Sequence, residues 1–125
     1  MIGLKEFIIA AVMNIGVADV NPQIVVADLT SGVHGATHCS VSEKHGLQCK
    51  VWIGKDRIKD KRNLRGSQWT RVENTILHEI CHIKAYKVAL ERDGTIEKIR
   101  PHGRDFRNCA RDHKVWLRHD LGTGH

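Results

Sequence analysis

The sequence predicts an α+β fold. Along the chain, an N-terminal helix is followed by a small, mainly antiparallel sheet and then by two helices. Short β-branched or alternating segments fall in the first half of the chain, between residues 22 and 54. A helical apolar pattern precedes them, and the longest helical pattern follows them from about residue 67. Strands that come early and helices that come late are typical of the α+β class.

The first elements are defined by two different apolar periods. Residues 3–16 place apolar side chains at helical spacing and predict an amphipathic helix: Leu4, Phe7, Ile8, Ala11 and Ile15. Residues 21–29, NPQIVVADL, give a turn and then a short β-branched run, which predicts a strand. Residues 36–42, ATHCSVS, are interpreted as a second strand.

Residues 47–54, LQCKVWIG, show the clearest strand pattern in the chain. Leu47, Cys49, Val51 and Ile53 share one face, and Gln48, Lys50 and Trp52 share the other. We therefore expect a half-buried strand with one aromatic residue on its polar face. A strongly basic connector, residues 55–66, follows it.

Two helices complete the predicted architecture. A long helix is expected from about Ser67 to about Arg92, closed by Asp93 and Gly94. The last helix is expected from about Gly103 to His119. Trp69, Val72, Ile76, Ile80 and Ile83 form one side of the long helix and should pack into the core.

The length and composition are those of a single globular domain, residues 1–125. The N-terminal apolar run is interrupted by Lys5 and Glu6 and is too short to cross a bilayer. We expect an intracellular protein, in the cytoplasm or in the nucleoid or nucleus. Because such compartments are reducing, we expect the four cysteines to be free buried thiols rather than disulfides. They form no CxxC pair, which argues against a cysteine-based zinc site.

The long helix contains a pattern typical of zinc hydrolases. His78 and His82 are one helical turn apart, so their imidazoles can reach the same metal ion. Glu79 follows the first histidine, where its carboxylate could act as general base on a water activated by the metal. Since the chain has nine histidines, this HExxH pattern can also arise by chance, and a third ligand has to decide.

The candidates for the third ligand differ in their position along the chain. The HExxHxxGxxH spacing is excluded, because Ala85 and Val88 stand where glycine and histidine would be required. Glu91 lies on the same helix, and Glu97 lies in a connector. His102 is the better candidate, since it begins the last helix on the side that faces the core.

The chain resembles the SprT-like zinc metallopeptidases, because it contains HExxH and, about 20 residues later, His-Gly-x-x-Phe. This family includes the Spartan-type proteases, which degrade DNA–protein crosslinks. The matching residues are His78, Glu79, His82, His102, Gly103 and Phe106. The resemblance implies a zincin-like minimal metalloprotease core and one catalytic Zn²⁺ held by the three histidines. It also implies that Glu79 is the catalytic base and that Phe106 anchors the last helix.

An anionic partner is suggested by the formal charge of +6 and by two basic segments. The candidate DNA contacts are Trp52, Lys59, Lys61, Arg62 and Arg65 around the connector, and Arg104, Arg107, Arg111 and Arg118 on the last helix. A solvated helix face is an equally good interpretation of the second group. The family's frequent C-terminal zinc ribbon is not recognisable here, so DNA contacts would have to come from the catalytic domain itself.

The sequence therefore predicts a zinc metalloendopeptidase that acts on proteins associated with DNA. Two alternatives remain open: a zinc-stabilised DNA-binding module without catalysis, and a peptidase with no nucleic-acid role. His34, His38, His45, His113 and Tyr86 are all candidates for stabilising an oxyanion, and the sequence does not choose among them.

Overall fold

A computed structural model of the chain describes residues 3–117. Its elements follow in the order α1 (Leu4–Ile15), β1 (Gln23–Ala27), β2 (Gly35–Ser42), β3 (Gly46–Gly54), α2 (Lys55–Ile58), α3 (Arg71–Asp93) and α4 (Arg104–Asp112). A short 3-10 turn, Ala18–Val20, lies between α1 and β1. The predicted α+β class is confirmed. No helix among these residues has the length and apolar character needed to cross a membrane.

The three strands form one mixed sheet in the order β1-β3-β2. β2 and β3 form an antiparallel hairpin with eight residue pairs, from Gly35 opposite Ile53 to Ser42 opposite Gly46. β1 pairs with β3 in parallel over five residue pairs. The prediction of a mainly antiparallel sheet is therefore correct for the longer pairing, β2 with β3, and wrong for β1 with β3. The direction of β1 depends on the path of the connection after it rather than on its own residues.

The core lies between one face of the sheet and α3. Cys49, Val51 and Ile53 of β3 are buried, as their alternation predicts. Ile76 and Ile80 on α3 are also buried, each with 1% or less of its surface exposed. Burial of side chains of this size stabilises the fold by about 1.5–3 kcal/mol each, so the sheet and α3 form a rigid support for residues on the other side of the helix.

α3 begins later than its apolar pattern predicts. It starts at Arg71, after an N-cap at Thr70, and the predicted start at Ser67 is wrong. The preceding residues turn at Gly66, where φ is +79°, and Asn63 pairs with Thr70 as an isolated bridge. The predicted closure after Asp93 is confirmed, since Gly94 adopts a left-handed conformation with φ of 74°.

α4 is shorter than predicted. It runs from Arg104 to Asp112, so the expected continuation to His119 is wrong for the residues that the structure describes, and His119 itself lies outside them. The chain leaves the helix after His113, and Lys114 has a positive φ of 57°. The next residues pack back on α3, where the Asn74 side chain accepts from the Trp116 backbone N–H at 2.7 Å and donates to its carbonyl at 3.1 Å.

The four cysteines form two disulfides, so the expectation of free thiols is wrong. Cys39 and Cys49 face each other across the β2–β3 hairpin and are bonded. Cys81 of α3 is bonded to Cys109 of α4. The paired cysteines are 10 and 28 residues apart, and strand register and helix packing make them neighbours, so their spacing alone did not indicate the bonds.

Candidate metal centre

Three histidines reach the candidate site from two segments. His78 and His82 are one turn apart on α3. His102 lies in the connector just before α4 rather than on its first turn, because Gly103 is the N-cap of that helix. The Gly103 N–H donates to the Arg100 carbonyl at 3.0 Å, and this turn positions His102 toward α3.

The structure brings the three predicted histidines together. Their possible ligand atoms all lie within 4.8 Å of one another. The Nε2 atoms of His78 and His102 are 3.3 Å apart, and the ring centroids of His82 and His102 are separated by 4.8 Å. Three neutral imidazoles are a donor set used by catalytic zinc sites, so the cluster could hold a metal ion and its chemistry is compatible with zinc.

Phe106 packs against all three imidazoles. Its ring stacks on His82 with a centroid distance of 4.4 Å, and its edge contacts with His78 and His102 both measure 4.9 Å. The side chain is 1% exposed. Phe106 therefore anchors α4, as the resemblance implies, and also restricts the orientation of the three rings.

Glu79 is buried beside this cluster and is held by β2. The residue is only 2% exposed, and this desolvation raises its pKa to about 7. The Thr37 hydroxyl donates to Glu79 Oε1 at 2.7 Å, which partly opposes the rise in pKa. The same hydroxyl lies 3.2 Å from the Glu79 backbone carbonyl.

Gly35 gives Glu79 the space that it occupies. A Cβ atom at Gly35 would come within 2.9 Å of Glu79 Oε2 and 3.1 Å of the Thr75 methyl group. Neither Gly35 nor Thr37 was identified from the sequence, because both lie more than 40 residues before Glu79 and no local motif links them to it.

A model of the SprT-like family matches residues 37–120, about two thirds of the chain. The chain belongs to the SprT-like family. The matched segment contains all three histidines, Glu79, Thr37 and Phe106. No curated protein and no solved structure shows significant similarity to this SprT-like chain.

The five side chains considered for oxyanion stabilisation are dispersed. His38 is exposed on β2, and His45 is exposed in the turn after it. Tyr86 is half-buried on α3, two turns after His78. His113 follows α4 and accepts a hydrogen bond from Trp69 Nε1 through its backbone carbonyl. His34 lies just before β2 and lines a cavity together with five cationic side chains.

The predicted DNA contacts fall into two exposed groups. Lys59, Lys61, Arg62 and Arg65 are exposed on the connector, and Arg104, Arg107 and Arg111 are exposed on α4. Trp52 is half-buried on β3, with Lys50 Nζ 5.1 Å from the centre of its ring. Arg118 lies outside the described residues.

Proposed function

We propose that this SprT-like protein is a zinc-dependent metalloendopeptidase with a zincin-like core. His78, His82 and His102 would hold one catalytic Zn²⁺, and Glu79 would be the general base. The observation that supports this most directly is the convergence of His102 on the α3 histidine pair, next to a buried carboxyl group.

The residues of the site divide the chemistry between them. A zinc ion at the three histidines would polarise the scissile carbonyl and lower the pKa of a water ligand to about 7. Glu79, buried beside the three histidines, would take a proton from the attacking water and return it to the leaving amine. The Thr37 hydroxyl orients the carboxyl group for this transfer.

A peptide substrate would bind along β2. This strand is at an edge of the sheet, since its partner among the described strands is β3 alone. It also packs against α3 and contains Thr37, which contacts Glu79. An extended peptide can add to such an edge through backbone hydrogen bonds, and this would place its scissile bond next to the histidine cluster.

The catalytic assignment is tested with Glu79→Gln, which retains shape and hydrogen-bonding capacity but removes the base. We expect cleavage of an unfolded protein substrate to fall at least about 100-fold, while zinc content and the folded structure are retained. Equal cleavage by the variant would contradict the assignment. If the wild-type protein binds zinc but shows no Glu79-dependent cleavage, the zinc-stabilised binding module is the correct reading.

The ligand assignment is tested by metal content. His102→Ala should lose stoichiometric zinc after dialysis, whereas His38→Ala, a matched change at an exposed histidine, should retain it. Zinc bound equally by both variants would exclude His102 as a ligand.

We further propose that the substrates are proteins associated with DNA. The formal charge of +6 and the two exposed basic groups support this. Binding to a DNA duplex should weaken steeply as salt is raised, and DNA should accelerate cleavage of a protein bound to it. Cleavage without salt-dependent DNA binding would favour a peptidase with no nucleic-acid role.

A further inference from the structure

We propose that a cavity next to the start of β2 is an anion-binding site for a phosphate group. The cavity has a volume of about 600 Å³ and lies between the residue before β2, the connector after β3 and the first residue of α3. This site goes beyond the proposed peptidase activity, because it would bind its ligand without the metal or Glu79.

The lining of the cavity consists of ionisable side chains. Five are cationic and two are acidic, and the eighth is a histidine: Arg57, Lys59, Lys61, Arg62, Arg71, Asp56, Asp60 and His34. The cations outnumber the carboxylates, so the cavity has a positive potential that favours an anion. The cavity is a cleft that is open to solvent on the side of its exposed lysines.

Three guanidinium groups surround one carboxylate. Arg62 takes both oxygens of Asp60, with distances of 2.8 Å from Nε and 2.9 Å from Nη2. Arg57 Nη1 and Arg71 Nε remain 3.6 Å and 3.9 Å from Asp60, too far for hydrogen bonds. Asp60 is therefore surrounded by three arginines, and Arg62 alone forms hydrogen bonds with both of its oxygens. The second carboxylate of the cavity, Asp56, lies 3.5 Å from His34.

Arg57 and Arg71 donate no side-chain hydrogen bond to any residue within the described part of the chain. Their Nε atoms are buried without a hydrogen-bond partner there, although the Arg57 side chain is 12% exposed and the Arg71 side chain 37% exposed. A guanidinium group has five N–H donors, and leaving such donors unsatisfied in a buried position is unfavourable. A tetrahedral oxyanion would supply both the missing acceptors and the missing negative charge.

The cavity is held in place by backbone contacts. The Arg71 N–H donates to the Arg62 carbonyl at 2.8 Å, and the Gly54 N–H donates to the His34 carbonyl at 2.9 Å. His34 immediately precedes Gly35, whose backbone lies against Glu79. A phosphate bound in the cavity would thus lie one residue along the chain from the contact that positions the proposed catalytic base.

Three of the lining residues are predicted DNA contacts, but the cavity itself was not predicted from the sequence. Lys59, Lys61 and Arg62 were expected to contact DNA, yet they form the exposed rim. Arg57, Arg71 and His34 supply the inner surface and come from three different segments. The folded structure is what brings their charges together.

The first test measures binding of inorganic phosphate by calorimetry. Arg71→Gln should weaken binding about ten-fold or more, because it removes a charged donor. Lys44→Gln makes the same change in charge on the β2–β3 turn and should have no effect. Asp60→Asn should tighten binding several-fold, because it removes the internal anion that competes for the guanidinium groups. Equal weakening in Arg71→Gln and Lys44→Gln would overturn the site.

A second measurement avoids the possibility that a variant fails to fold. In the wild-type protein, phosphate titration should shift the Nε–H resonances of Arg57 and Arg71 more than that of Arg107, which is exposed on α4. Shifts that are equal for all three, or absent, would refute the proposal.

The source of the phosphate is identified with a labelled DNA duplex. If the cavity binds the DNA backbone, inorganic phosphate will displace the duplex and Arg71→Gln will reduce the slope of log affinity against log salt by about one. If duplex binding is unaffected by Arg71→Gln while inorganic phosphate binding is lost, the site serves a small phosphate compound. Both results uphold the anion site and are independent of peptide cleavage.

Discussion

The stability of the metal-free protein depends on whether the Glu79 carboxyl group is protonated. Burial raises its pKa from 4.5 to about 7, so the folded state binds this proton more tightly than the unfolded state does. The resulting stabilisation is fully present below pH 4.5 and is lost as the pH rises through 7. Its full size is about 3 kcal/mol.

We therefore expect wild-type protein treated with a chelator to lose most of this stability, relative to Glu79→Gln, between pH 5 and pH 8. Urea denaturation of both proteins at each pH measures the difference. The same pH dependence in both proteins would show that Glu79 is not responsible.

Thr37 gives a second prediction at this scale, which depends on the proposed peptidase activity. Thr37→Val removes the 2.7 Å hydrogen bond to Glu79 but preserves the shape of the side chain. We expect kcat to fall about ten-fold, with KM and zinc content little changed. Thr37→Ser should restore most of the rate, because it returns the hydroxyl group. A serine variant as slow as the valine variant would mean that packing, rather than the hydrogen bond, matters.

Contacts within α3 could be predicted from the sequence, whereas contacts between α3 and other segments of the chain could be predicted only in part. His78, Glu79 and His82 lie within one helical turn, so helix geometry alone relates their side chains. His102 required a second motif because the intervening connector has no regular period. Thr37 and Gly35 reach Glu79 through the packing of β2 on α3, and no local pattern contains that information.

Among the elements, α3 positions most of the site, and its first turn is fixed by a capping box. The Thr70 side chain accepts from the Glu73 N–H at 3.2 Å, and the Glu73 side chain accepts from the Thr70 N–H at 2.9 Å. Thr70→Ala should therefore reduce the free energy of unfolding by about 1 kcal/mol. Thr30→Ala, in an exposed loop, is the matched control. Thermal denaturation measures both, and equal melting temperatures would argue against the cap.

The capping box marks the start of α3 in the sequence, yet the predicted start was four residues too early. Thr70-Arg71-Val72-Glu73 matches the pattern of a helix start, but the apolar period extends back to Trp69 and favoured an earlier one. Trp69 is instead held by its Nε1 hydrogen bond to the His113 carbonyl. Contacts of this kind, between distant segments, also set the end of α4 and the direction of β1, and neither was predicted.

For the molecule as a whole, the two disulfides contribute to stability by restricting the unfolded chain. Their cysteines are separated by 10 and 28 residues, and closing loops of these lengths stabilises a protein by about 3 kcal/mol each. Protein purified without reductant should show no reactive thiol in denaturant, and reduction should lower the urea midpoint. Four reactive thiols before reduction would show that the cysteines are free, as the sequence predicts, and that the two disulfides do not form.

Metal binding should stabilise the whole molecule and should also hold the start of α4 against α3. His78 and His82 belong to α3, whereas His102 belongs to the connector that leads into α4, so an ion bound by all three would join the two segments. A ligand present at 100 times its Kd stabilises the folded state by about 2.7 kcal/mol. We therefore expect zinc to raise the Tm of the wild-type protein and not that of His102→Ala.

Hydrogen exchange locates the effect within the fold. The Arg107 N–H bonds to the Gly103 carbonyl in the first turn of α4, directly after His102, and zinc should slow its exchange. The His45 N–H, which bonds to the Ser42 hydroxyl in the β2–β3 turn, is exposed and far along the chain from all three histidines, so its exchange should change little. In His102→Ala the protection of Arg107 should disappear. Equal protection of both amides, or protection that persists without His102, would show that the metal does not join α3 to α4.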